Sequence, residues 1–500
     1  MDTGLDRRKL LKKSIKVNAV VNIIRVTSNL IFPILIFPYV SRVLGPDSLG
    51  KINFTTSTLN FFVLIASMGI PSYAVIVCSK HRQDEQRLKR TICELLYINL
   101  LLTVISYLLL GISILGIPKF QEYRGLLILN SMSIFFTVIG VEWLYTALEE
   151  FNYIMIRSII FKIVSIIMIF TLVHGREDYY VYAIILIVSS VGANVLNFLH
   201  AHKYIKFYPL YELDFKQHIK PILLFFSASI AATINGNTDT VMLGFIKGDM
   251  SVGLYDFSIK IKNLLTSFIT AALSVTTPRF ALYVEQKKFS NYRKLLRKVV
   301  LVTLVVAIAF SIFFICFSEE TILILGGAKY LKARSTMIVL TICVVILGMT
   351  WTLGVGVLQP LGREREYAKT MFIACGVNVV LNSILIPTLD SLGASIATLV
   401  TESINMILFY YYAQDFLKKS LKNIGIEKMI FSAISAGIVA EIICNMYNFN
   451  GIITICIGFI IFSFLYGIMI FMIHKEIRKI VIDIINSILQ KIIEKGEFKK

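Results

Sequence analysis

The sequence predicts an all-α polytopic membrane protein with about 14 transmembrane helices. Three observations predict it. The 500 residues are 56% hydrophobic, with a mean hydropathy of +0.76, whereas a water-soluble core would need amphipathic elements. About fourteen apolar runs, each near the ~20 residues that cross ~30 Å of hydrocarbon as a helix, are separated by short loops. Positive charge gathers in every second loop.

The spans follow in order. Span 1 (18–40) carries Asn18, Asn22, Arg25 and Asn29 within apolar sequence. No small-residue cleavage site follows its basic start, so it is read as a retained span. Span 2 (52–78) contains Asn60 and Ser67, and spans 3 (91–115) and 4 (125–147) follow as long apolar runs. Span 5 (155–173) holds Ser158, Lys162 and Ser165, and span 6 (179–199) closes the first half. Span 7 (219–246) sets Ser229, Thr233, Asn237 and Thr240 on one face, with Asp239 one residue off it. Span 8 (254–281) is the most polar: Asp256, Lys260, Asn263, Ser267, Thr270, Ser274 and Thr277 recur at alternating steps of 4 and 3, so they share one face of the helix. Spans 9 (299–317), 10 (335–361) and 11 (367–387) are apolar, and span 12 (392–412) repeats the stripe with Ser391, Ser395, Thr398, Glu402 and Asn405. Spans 13 (429–446) and 14 (451–473) are almost uncharged apart from Glu441.

Loop charge sets the orientation. With a cytoplasmic N-terminus, the inside segments hold 36 of the 50 lysines and arginines and the outside loops hold 9, the bias that the positive-inside rule requires. An even helix number then puts both termini in the cytoplasm. The +19 net charge is therefore mainly topology signal, with attraction to anionic lipid, and does not point to nucleic acid. No outside loop exceeds about 17 residues and no inside loop exceeds about 21, and none carries a P-loop. These exclude an extracellular domain and an ATP-driven pump in one chain. The seven cysteines have no CxxC spacing and are read as apolar filler, and His200 with His202 as a solvated face, so no metal site is expected.

The chain also repeats. Ser48-Leu49-Gly50-Lys51-Ile52-Asn53-Phe54 and Ser251-Val252-Gly253-Leu254-Tyr255-Asp256-Phe257 are offset by 203 residues, and Asn60 matches Asn263 and Ser67 matches Thr270 at that offset. Both halves begin inside, so the repeat is parallel. The expected organisation is two six-helix lobes, 1–214 and 215–417, then 418–473 with spans 13 and 14, and a cytoplasmic amphipathic tail over 474–500. In that tail Ile477, Ile480, Ile484, Ile488 and Ile492 recur at helical spacing.

Polar stripes inside hydrocarbon are costly on a lipid face. One reading is a water-filled cavity between the lobes, lined by spans 1, 2, 7 and 8; the other is interhelical hydrogen bonding that holds the bundle. For spans 5 and 12 neither reading prevails. The cavity reading gives Asn22, Arg25, Asn29, Asn60, Lys260, Asn263, Ser267 and Thr270 as candidate substrate-binding residues. Arg25 and Lys260 would present cations to a passing anion such as phosphate, for which arginine offers a bidentate fork. Asp256 precedes Lys260 by four residues, so the two can instead pair on one face.

Several local motifs resemble those of a known family. Pro38-Tyr39-Val40-Ser41-Arg42-Val43-Leu44-Gly45-Pro46 with Gly50 resembles the helix 1–2 junction of Wzx-type oligosaccharide flippases. Ser67-Met68-Gly69-Ile70-Pro71-Ser72-Tyr73 is similar to their helix 2 ending, and Glu142-Trp143-Leu144-Tyr145 with Tyr153 and Arg157-Ser158-Ile159-Ile160-Phe161-Lys162 to their helix 4–5 segment. Gly393-Ala394-Ser395-Ile396-Ala397-Thr398 with Glu402 resembles the start of helix 12. The resemblance implies the superfamily of multidrug exporters and lipid II flippases, with fourteen helices and a central cavity of alternating access. It implies as substrate an undecaprenyl-pyrophosphate-linked sugar repeat unit, destined for capsule, O-antigen or exopolysaccharide, in a bacterial plasma membrane. It implies a polysaccharide polymerase and chain-length machinery as partners. The last two helices would offer a groove for the lipid tail. No cofactor is expected beyond a coupling H+ or Na+, for which Asp239, Asp256 and Glu402 are candidates. The competing classes are a drug or metabolite exporter of the same fold, a membrane polysaccharide polymerase or glycosyltransferase, and a non-transporting scaffold. The basic residues of spans 1 and 8 argue against an organic-cation exporter. The short outside loops argue against an enzyme, and the charged stripes against a scaffold.

Overall fold

The computed structural model describes residues 15–205, 208–418, 420–447, 451–483 and 485–486, and the secondary structure among them is helical throughout. The principal helices are α1 (Ile15–Ser67), α2 (Ile70–Lys80), α3 (Glu85–Gly116), α4 (Pro118–Glu122), α5 (Arg124–Ile139), α6 (Glu142–Ala147), α7 (Phe151–Leu172), α8 (Tyr179–Ile187), α9 (Ala193–Ala201), α10 (Lys216–Ile246), α11 (Asp249–Glu285), α12 (Phe289–Cys316), α13 (Ser318–Leu325), α14 (Arg334–Leu353), α15 (Glu364–Leu417), α16 (Ile426–Tyr447) and α17 (Gly451–Ile473). Contacts divide the chain into two compact units, Met1–Gly253 and Leu254–Lys500.

Among the described residues, 11 helices are long and apolar enough to cross a membrane, against about fourteen predicted runs. The difference has a local cause. Two of the eleven, Ile34–Lys80 and Glu364–Leu417, run for 47 and 54 residues, and each contains a residue outside helical geometry: Gly45 (φ 76, ψ 174) and Asp390 (φ 59, ψ −137). Glycine meets that left-handed demand without the steric cost a Cβ would bring. The polar α11 (Asp249–Glu285) is not among the eleven.

α3 shows how the sequence satisfies a membrane. Leu101, Leu108, Ile112 and Leu115 are 62–78% exposed along one face, while Asn99, Thr103 and Ser106 are buried. Apolar outside and polar inside reverses the water-soluble pattern, as hydrocarbon on the outside demands. The Asp84 side chain caps the helix by accepting from the Arg87 N–H at 3.0 Å.

In the first unit, α1 packs against α3, α5, α7 and α10. One core cluster joins Val40, Leu44 and Ile52 to Ile169, Val173 and Ile185; a second joins Ile70, Ala74, Ile92, Leu95, Leu144 and Tyr145 to Ile222. In the second unit, α12, α14, α16 and α17 close around Leu304, Phe313, Ala433, Ala436 and Phe462. Helical backbone resumes at 475–483, where Ile477 is buried and Ile480 packs against the same core. Ile484, Ile488 and Ile492 of the expected tail lie outside the described residues.

Candidate functional site

The first unit contains a polar cleft between the second half of α1 and α10. Asn60, Val63, Leu64 and Ser67 form one face of α1, and Ser229, Ala232, Thr233 and Asn237 form the facing strip of α10; together they line an open cleft of about 350 Å³. The spacing of three and four residues on both helices brings these side chains to one side. Asn60 Nδ2 donates to Asn237 Oδ1 at 2.8 Å, and Asn237 Nδ2 donates to the Thr233 carbonyl at 2.9 Å. The Ser67 and Ser229 hydroxyls donate to the Val63 and Phe225 carbonyls one turn back. Their oxygens thus offer acceptor lone pairs to the cleft, and no lining residue is charged. Gly69 fixes the inner end of this wall: at φ 76 it packs on the backbone of Phe225 and Phe226, where a Cβ would stand 2.5 Å from the Phe226 nitrogen.

In the second unit, the stripe on α11 is half-buried or exposed, whereas Phe257, Ile261, Leu265 and Ile269 face the core. Lys260 Nζ lies 2.7 Å from Asp256 Oδ2, so the two charges are paired on one face. Ser267 donates to the Asn263 and Leu264 carbonyls, and Thr270 to the Ser267 carbonyl. Asn263 is exposed. The α15 stripe behaves differently. Ser391 Oγ meets Thr336 Oγ1 at 3.0 Å, Thr398 Oγ1 meets the Tyr255 hydroxyl at 3.1 Å, and Thr350 donates to the Glu402 carbonyl. That set ties α15 to α14 and α11, as interhelical hydrogen bonds do. The Glu402 carboxylate accepts from Asn405 at 3.4 Å.

Asp239 is buried on α10 and is not among the residues of the cleft. Asn22, Arg25 and Asn29 have helical backbone in α1, and their side chains lie outside the described residues. Lys162 sits 5.6 Å from the centre of the Phe32 ring. His200 is not a solvated face: it stacks on Tyr145 and Tyr153 at 5.7 and 4.8 Å, because the turn of α9 carries it back over α6 and α7. All seven cysteines are free. Among the described residues no group of three His, Cys, Asp or Glu could hold a metal ion. Asn237, Thr233 and Ser229 join Asn60 although the stripe on span 7 alone did not single them out as binding residues; the facing stripe on span 2 is the signal that pairs them.

Comparison with known proteins gives this geometry its family. Residues 15–284, more than half of the chain, match the model of the polysaccharide biosynthesis protein family. The chain belongs to that family. It is a Wzx-type member of the superfamily that takes in the MATE exporters and the lipid II flippase, and residues 225–384 also match the MatE family. The putative O-antigen transporter of Escherichia coli (strain K12) is 20% identical over 406 residues, which is 81% of this chain and 98% of that protein. The capsular polysaccharide biosynthesis protein CapF of Staphylococcus aureus is 20% identical over 385 residues, covering 76% of this chain and 94% of its own. The lipid II flippase MurJ in its inward closed conformation superimposes with a TM-score of 0.72 at 16% identity, covering 90% of this chain and 99% of MurJ. An inward-facing multidrug resistance MATE family transporter gives 0.57 at 15% identity, over 79% of this chain and 95% of its own. This family member is thus a multi-pass membrane protein with the fold of transporters, not of enzymes.

Proposed function

We propose that this protein moves undecaprenyl-pyrophosphate-linked oligosaccharide repeat units from the cytoplasmic to the outer leaflet of a bacterial plasma membrane. The observation that carries the reading is the uncharged cleft between α1 and α10, lined by carboxamides and hydroxyls and set among apolar helices. Such a lining can replace the water around a glycan head, which cannot cross hydrocarbon unaided. The names of the O-antigen transporter and CapF relatives support the substrate class.

The proposal has fourteen spans, counting α1 and α15 as two each and including α11, with both termini cytoplasmic. Two lobes, 1–214 and 215–417, alternate access as one parallel repeat, followed by 418–473 and an amphipathic tail over 474–500. Gly45 and Gly248, 203 residues apart, both have positive φ (76 and 90), which supports the repeat. Asn22, Arg25, Asn29, Asn60, Lys260, Asn263, Ser267 and Thr270 line the path, with Arg25 and Lys260 meeting the pyrophosphate. Asp239, Asp256 and Glu402 serve as candidate coupling groups for H+ or Na+. The polyprenyl tail stays in lipid beside spans 13 and 14. A groove of about 260 Å³ lined by Val305, Phe310, Phe313, Phe459, Phe462 and Tyr466 supports that placement. A polymerase and chain-length machinery would take up the product.

The test is glycan exposure at the outer face in cells that lack their own flippase. Exposure restored by this chain supports the reading. A normally expressed chain that restores none, yet lowers the accumulation of organic cations, would favour a drug exporter instead.

A further inference from the structure

Below the cleft, the first unit buries a cluster of titratable side chains that the transport path does not use. Glu94 on α3 and His218 in the first turn of α10 are each 1% exposed. His218 Nε2 lies 2.8 Å from Glu94 Oε2, and His218 Nδ1 lies 2.8 Å from the hydroxyl of half-buried Tyr73 on α2. The other donors to Glu94 are Arg90 Nε at 3.3 Å, the Asp214 backbone N–H at 2.9 Å and Gln217 Nε2 at 3.2 Å. Glu94 is therefore an acceptor on both oxygens, and Nε2 of His218 must carry the proton that points at it.

That fixes how the cluster takes a further proton. With a neutral ring, Nδ1 accepts from the Tyr73 hydroxyl. With a charged ring, Nδ1 carries a proton and donates to the same oxygen, once the hydroxyl hydrogen has rotated away. Both forms satisfy every ring nitrogen with no heavy atom displaced. The charged form also turns the bond to Glu94 from a neutral donor on a carboxylate into a fully ionic pair, which is the stronger kind. The surrounding charged and titratable groups are Tyr73 and Cys78 on α2, Arg90, Cys93 and Glu94 on α3, Glu212 and Asp214 in the connecting segment, and Lys216 and Lys220 on α10.

The cluster sits where it can act on the cleft. Pro221 lies inside α10, three residues beyond His218, and it leaves the Gln217 carbonyl without an intrahelical donor. The first turn of α10 is thus pinned to α2 and α3, and the cleft wall at Ser229, Thr233 and Asn237 rises beyond a weak point in the helix.

We propose that Tyr73, His218 and Glu94 form a proton-binding site that fastens the base of α10, so that proton occupancy sets access to the cleft. The consequence for transport rests on the flippase reading; the site itself does not.

The test uses the full chain in nanodiscs, with the native cysteines changed to alanine and Thr233→Cys as the probe. A maleimide labelling rate is read at about pH 5.5 and about pH 8. Each rate is divided by that of an exposed Lys329→Cys reference, which removes the thiol's own ionisation. The normalised rate should be about fivefold slower at the lower pH, the ratio expected when a neutral hydrogen bond becomes ionic. His218→Gln keeps a donor for Glu94 and cannot take the proton, so its rate should be the same at both pH values. Should that variant fail to fold, Tyr73→Phe removes the acceptor of the second ring proton and should shrink the pH effect. A pH effect undiminished in the folded variant, or absent in the parent, overturns the site. Labelling that follows pH while no glycan moves in the same nanodisc preparation reconstituted into liposomes would leave the site standing and remove the flippase reading.

Discussion

The backbone of Gly253 lies against the carbonyl of Pro46, and a Cβ at that position would stand 2.0 Å from the Pro46 oxygen. The mirror contact is also present: a Cβ on Gly50 would stand 1.9 Å from the oxygen of Asp249. Adding 203 to Pro46 and Gly50 gives Asp249 and Gly253, so the two contacts exchange under the repeat offset. Each is a close approach of helix backbones that only glycine permits.

Gly50→Ala and Gly253→Ala should therefore each destabilise the protein by about 1–3 kcal/mol, since a backbone carbonyl cannot swing aside as a side chain can. Gly111→Ala, where nothing lies within 4 Å of the added atom, should be neutral or stabilising, because it only raises helix propensity. Thermal midpoints in detergent decide this. Equal midpoints for all three variants would mean that the close approach carries no stability.

Much of this fold was legible in the sequence, and for a physical reason. Span length is set by the bilayer, so it is written locally. The junctions were less so: Gly45 and Asp390 lie in short loops by sequence, yet the helices run through with each as one non-helical residue. Stripes were legible as faces but not as roles. The stripe of span 8 stays open to the surface of its unit while that of span 12 is consumed by Thr336, Tyr255 and Thr350, and the partners decide which. The Glu94–His218 pair was not legible, since 124 residues separate two side chains that each look ordinary alone.

The cleft makes a direct prediction. Asn60→Leu loses the bond to Asn237 and replaces an acceptor with hydrocarbon, and it should lower the rate of glycan transfer by about tenfold, the worth of one neutral hydrogen bond. Asn60→Gln should retain part of the rate. A normal transfer rate in Asn60→Leu, at wild-type protein level in cells lacking their own flippase, would take the cleft out of the path.

Orientation is tested by chemistry on exposed positions. Lys329→Cys should react with a membrane-impermeant thiol reagent in intact cells whose outer barrier, where present, has been opened, and Lys288→Cys should not. Both lysines are exposed in the structure, so a difference in labelling reads the side of the membrane. The reverse pattern would invert the topology.

The Arg297–Glu476 pair gives a pH signature. Arg297 Nε and Nη2 donate to the two carboxylate oxygens at 2.7 and 2.6 Å, and the same side chain donates to the Ser420, Lys422 and Asn423 carbonyls. The hydrogen bonds from Arg297 hold the Glu476 carboxyl below its ordinary range. A depressed folded value means that the contribution is present above the unfolded value of about 4.3 and fades as pH falls through the folded one. The wild-type thermal midpoint should exceed that of Glu476→Gln at neutral pH, and the gap should close below about pH 4. A gap independent of pH would show that charge on Glu476 adds nothing.

The anion reading rests on Arg25 and Lys260, and the two call for different tests. Arg25→Ala should abolish transfer of lipid-linked glycan at normal protein level, and Arg25→Lys should restore it only in part, because it keeps the charge and loses the fork. Lys260 already has a partner in Asp256 at 2.7 Å, so a loss in Lys260→Ala alone does not distinguish a substrate contact from an abandoned carboxylate. The double variant Asp256→Asn with Lys260→Gln does. It removes both charges and keeps the side chains' size and hydrogen bonding, so no uncompensated charge is left in the membrane. If Lys260 meets the pyrophosphate, the double variant should transfer as poorly as Lys260→Ala. If the pair serves the helix alone, the double variant should recover to near the wild-type rate, and Lys260 then leaves the site.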